Sequence, residues 1–66
     1  MDKVAYEQTR KEKGITVKML CDEMKIDEST YYRKMQKNGE TFTAPELNVI
    51  VRMFELDPQT AVSMLL

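Results

Sequence analysis

Five side chains in one short stretch have the chemistry to read nucleic-acid bases: Glu28, Tyr32 and Gln36 recur at i, i+4 and i+8, with Ser29 and Arg33 beside them. On a helix this spacing puts all five on one solvated face, while Tyr31 and Met35, one turn apart, point to the core. Arg33 can form a bidentate pair with guanine, and Ser29 is an adaptable donor and acceptor. Glu28 can accept from the amino group of cytosine, and Tyr32 can pack on a thymine methyl or bond a phosphate. Phosphate contacts are expected on either side. Thr16, Val17 and Lys18 begin the preceding helix with unpaired backbone N–H groups and an ammonium, and Lys37 and Asn38 follow with a second base and flexible donors. The partner these residues suit is double-stranded DNA.

Other chemistries lack their residues. The chain has no histidine and a single cysteine, Cys21, so the usual zinc ligands and any intramolecular disulfide are missing. A catalyst needs a base or nucleophile held in a cleft, and 66 residues leave little volume for one. No enzymatic activity, cofactor or metal is expected. The first residues, Met-Asp-Lys-Val-Ala-Tyr-Glu, carry charges at regular intervals without an apolar stretch, and no run is long enough to span a bilayer. A cytoplasmic protein with no membrane partner is the expectation.

The formal net charge of −1 weighs against nucleic acid, but its distribution does not. Up to Gly39 nine bases stand against seven acids, whereas beyond it Arg52 faces Glu40, Glu46, Glu55 and Asp57. The positive half coincides with the candidate reading residues.

The elements that must position these residues are all helices. The punctuation divides residues 1–66 into five short helical segments of a single domain, and no segment alternates as a strand does. The first helix is predicted from about Lys3 to Lys13, ending at Gly14, which takes a left-handed conformation without a Cβ clash. The second covers about 16–24 with Thr16 as N-cap and Leu20, Cys21 and Met24 inward. The third covers about 27–37, capped by Asp27. Thr43-Ala44-Pro45-Glu46 combines a capping box with an early proline and gives the fourth helix the clearest start in the chain. Its polar residues Asn48, Arg52 and Glu55 fall on one line, so its wide apolar arc is either central to the core or shared with a partner. Asp57 and Pro58 serve as N-cap and first residue of the fifth helix.

Cys21, Tyr31 and the methionines read as packing residues, Cys21 as a small hydrophobe where two helices approach. Val49, Met53, Met64, Leu65 and Leu66 either fill a small core or bury the seam of a homodimer. An end so apolar is expected to carry association.

Lys-Glu-Lys-Gly-Ile-Thr at 11–16, followed by Leu20-Cys21, Ile26, Ser29-Thr30 and Asn38-Gly39, resembles the Cro/C1-type helix-turn-helix regulators, also called the XRE family. Ser-Thr-Tyr-Tyr-Arg-Lys-Met at 29–35, with Phe42-Thr43 and Glu46, is similar to the small members found in phages and mobile elements. The resemblance implies an all-α, compact five-helix, lambda-repressor-like domain, dimeric operator binding and control of transcription. Three positions depart from the family pattern. Val17 stands where glutamine is common, Lys25 where the turn often has glycine, and Met35 where an acidic residue usually pairs with the base at Arg10.

The expectation is therefore a repressor-like transcriptional regulator that reads the major groove with its third helix. The alternative is a protein-interaction module of the same fold, an antirepressor or adaptor that docks on another regulatory protein.

Overall fold

Short polar side chains cap four of the five helices in a computed structural model that describes all residues, 1–66. The helices are α1 (Lys3–Glu12), α2 (Val17–Met24), α3 (Glu28–Gln36), α4 (Ala44–Phe54) and α5 (Pro58–Leu65), and there is no strand. Asp2, Thr16, Asp27 and Thr43 each accept the backbone N–H three residues on, at 2.7–3.3 Å, which satisfies a donor that the helix start leaves unpaired. Asp57 occupies the N-cap position of α5 but makes no side-chain bond there. Pro58 has no N–H to satisfy, and Gln59 and Thr60 lie exposed to water, which can take the cap's place.

Left-handed residues follow four of the five helices. Gly14 (φ 68°) follows α1, and Lys25 (φ 61°, ψ 42°) ends α2 in the position where the resemblance called for glycine. Its N–H donates to a carbonyl of α2, so the turn into α3 closes despite the Cβ.

The core lies where α4 crosses α2 and where α1 meets α5. α2 buries Leu20, Cys21 and Met24 and packs against α4, which buries Glu46, Val49, Ile50 and Phe54, more residues than any other helix. The N-terminus is tied to α5 by the Asp2 N–H, which donates to the Met64 carbonyl at 2.8 Å. The Cα radius of gyration, 10.7 Å, matches the value of about 11 Å expected for a close-packed chain of this length. No helix is long and apolar enough to cross a membrane.

Of the five residues expected either in the core or at a homodimer seam, two belong to this core. Val49 is 7% exposed and Met64 6%, so their apolar surface is already covered within the chain. Met53 and Leu65 are half-buried against the core, and Leu66 is exposed. The wide apolar arc of α4 is covered in part by α2, and its Phe54 ring packs against Tyr6 of α1 at 5.2 Å between centroids.

Candidate nucleic-acid interface

Tyr31 fixes α3 from beneath. It is 1% exposed, its hydroxyl lies 2.7 Å from that of Tyr6 on α1, and its ring packs near Phe42 at 6.0 Å between centroids. Burial raises both tyrosine pKa values, so the pair stays neutral and one hydroxyl donates to the other. Met35 lies half-buried beside the core one turn on. With that side held, Glu28, Ser29, Tyr32, Arg33 and Gln36 are all exposed, and the helix brings them onto a single face.

The face has a distinct chemistry at each edge. Tyr32 lies on the α1 side, where Lys3, Glu7, Tyr31, Tyr32, Met35 and Gln36 line an open groove of about 280 Å³. The exposed Tyr32 ring meets Tyr31 edge-on at 5.5 Å and 81°, which limits its motion. The Ser29 hydroxyl donates to Asp27 at 2.9 Å, so its oxygen is turned outward as an acceptor. Hydrogen bonds from Thr30 and then Ser29, with the nearby Arg33 charge, hold the Asp27 carboxyl below its ordinary pKa. On the opposite edge the Arg33 guanidinium donates to the Thr30 hydroxyl at 3.3 Å.

The flanking residues are placed at the ends of this helix pair. Thr16 spends its hydroxyl on the Met19 N–H, while the N–H groups of Val17 and Lys18, in the first turn of α2, have no intrahelical partner. Lys18 is bridged to Asp22 at 3.2 Å, but both side chains are largely in water, so the pair is weak and open to competition from another anion. Lys37 and Asn38 are exposed after α3. Asn38 is left-handed (φ 59°) and its N–H donates to the Met35 carbonyl, leaving its side-chain amide free.

Sequence reasoning missed two supports. Lys34 points off the face and pairs with Glu46 of α4 at 2.6 Å, and the same carboxylate oxygen accepts the Thr43 N–H at 2.8 Å. Only the Thr43–Glu46 capping box was readable, because Lys34 lies a loop away from it. Arg10, which the resemblance left without an ion-pair partner opposite Met35, has one on its own helix. It bonds Glu7 at 2.8 Å and donates to the Ile15 carbonyl at 2.9 Å, clamping the end of α1 onto the turn before α2. The i, i+3 spacing of Glu7 and Arg10 was the available signal. Burial, and then nearby carboxylates, push the Cys21 thiol above its ordinary pKa, which makes it a poor nucleophile.

No protein-family model matches the chain, and neither the curated proteins nor the solved structures contain a significant match to it.

Proposed function

We propose that this chain is a sequence-specific DNA-binding transcriptional regulator of the Cro/C1 type, repressor-like and acting in the cytoplasm, which lays α3 in the major groove of its operator. One observation carries the reading: α3 is fixed from beneath by Tyr31 while Glu28, Ser29, Tyr32 and Gln36 turn a hydrogen-bonding face to water. The short turn through Lys25 and the new cap at Asp27 give α2 and α3 the succession of a helix-turn-helix, in which the second helix enters the groove and the first lies across the backbone.

Two copies on a two-fold symmetric site complete the proposal. Leu47, Val51, Ala61, Val62, Leu65 and Leu66 line an apolar depression of about 160 Å³ between α4 and α5, and no charged side chain occurs in α5. Covering it with a second copy therefore desolvates no charge of α5. The same exposed surface, with Val62 58% and Leu66 84% accessible, favours a second reading as an adaptor that docks on another regulatory protein.

Replacing Glu28 tests the first reading. Glu28→Gln should shift base preference at one position from cytosine toward adenine, because a carboxylate accepts from the cytosine amino group whereas an amide pairs with adenine. Removing this negative charge should also raise affinity for random duplex. Identical selected sites for the native chain and Glu28→Gln would remove α3 as the reader and put the adaptor reading first.

A further inference from the structure

We infer that the basic edge of α3 is a phosphate-binding site in which Arg33, Lys37 and the hydroxyls of Thr30 and Thr41 enclose one tetrahedral oxyanion. Its use on a DNA backbone rests on the function proposed above; the site itself does not. Thr30, Arg33, Lys34, Lys37 and Thr41 line an open depression of about 230 Å³ between the end of α3 and the turn that follows it. Every lining side chain is a hydrogen-bond donor and none is a carboxylate.

The charges in the depression are unequally available. Lys34 is neutralised by Glu46 at 2.6 Å, whereas Arg33 and Lys37 take part in none of the chain's ion pairs. Arg33 is also oriented in advance. Its Nη2 rests on the Thr30 hydroxyl at 3.3 Å, and its remaining N–H groups can form the two-pronged contact that phosphate favours. Two features oppose an anion here. Carbonyls at the end of α3 carry roughly half a negative charge, and Asp27 lies near enough to feel Arg33. Two positive charges outside any ion pair outweigh both, and Asp27 caps the opposite end of α3 from Lys37 and does not line the depression.

This assignment changes the role of Arg33. Arg33 and Lys37, at i and i+4, line the edge of α3 away from Glu28 and Tyr32, while Ser29 and Gln36 occupy the middle of the face. A helix lying in a groove presents its middle to base edges and its margins to the phosphate walls. Arg33 is therefore a phosphate ligand and not a reader of guanine.

Inorganic phosphate and random duplex provide separate tests. Amide and guanidinium resonances of the free chain are followed by NMR as phosphate replaces chloride at constant ionic strength. Saturable shifts at Thr30, Arg33, Lys37 and Thr41 are expected, lost in Arg33→Ala and partly retained in Arg33→Lys. No response at these residues overturns the site, whatever the duplex does. On random duplex, Arg33→Ala and Lys37→Ala should each lower the slope of log affinity against log salt by about one. The selected sequence should stay the same. Loss of one guanine from the site selected by Arg33→Ala would overturn the assignment in favour of base reading. A response to phosphate in a chain that binds no duplex would leave the site standing as a receptor for a free phosphorylated ligand, and the DNA reading would fall instead.

Discussion

Tyr31→Ala is expected to unfold the domain. Truncating a fully buried aromatic residue costs about 3–5 kcal/mol, and a chain of this size has only about 3–10 kcal/mol in total. Here the loss is compounded, because the Tyr6 hydroxyl, 2.7 Å away in a fully buried position, would be left without its partner at a further cost of about 1–3 kcal/mol. Tyr31→Phe should incur only that second cost, and the double variant Tyr6→Phe/Tyr31→Phe should recover part of it by removing both hydroxyls. Urea denaturation followed by circular dichroism measures the series. A Tyr31→Ala chain with the native midpoint would show that α3 is held by something else.

Lys34→Met should destabilise by about 2–3 kcal/mol, with the loss concentrated at neutral pH. Breaking a fully buried ion pair costs about 3–5 kcal/mol; the remaining 18% exposure of the Lys34 side chain and 9% of Glu46 reduce that figure. Burial alone would raise the Glu46 carboxyl, but Lys34, together with the N–H and hydroxyl of Thr43, outweighs it and holds the carboxyl below its ordinary value of 4.5. A carboxyl depressed on folding contributes stability that is complete above its unfolded value and is lost as pH falls through the folded one. The native chain should therefore weaken in acid below about pH 4.5. In Lys34→Met the Glu46 carboxyl loses the lowering effect of the ammonium, so it rises relative to the native chain, and the deficit should shrink as the carboxyl protonates. Melting both proteins across this range decides the matter. An equal deficit at neutral and acid pH would mean that Lys34 supports α3 through its alkyl chain and its position 5.8 Å over the Phe42 ring, not through Glu46.

The helix boundaries were legible because the signals that set them are local. Thr16, Asp27 and Thr43 cap the helices expected of them, Gly14 ends the first one, and Pro58 starts the last. The inward set of α2 and the outward set of α3 follow from helical periodicity alone. What fixes α3 in place was not legible. Tyr6 and Tyr31 are 25 residues apart, and Lys34 and Glu46 are 12 apart, so no spacing within one helix announces either pair. The placement of Val49 and Met64 was undecided for the same reason. An apolar residue on a short helix reads alike whether its cover comes from its own chain or from a second copy, and tertiary packing chose the former.

The basic edge of α3 illustrates a finer limit. Periodicity placed Arg33 on the solvated face with Ser29 and Gln36, but its neighbours there include Thr41, which belongs to the turn beyond the helix. A helical projection cannot show a residue outside the helix. Once Thr30 and Thr41 are set beside it, the guanidinium lies at the margin of the face.

Selection of binding sites from a pool of random duplexes tests the central claim most directly. Repeated rounds should enrich a two-fold symmetric sequence, with half-sites about one helical turn apart and bases specified opposite Glu28, Ser29, Tyr32 and Gln36. A pool that stays unenriched after repeated rounds at moderate salt would contradict that claim.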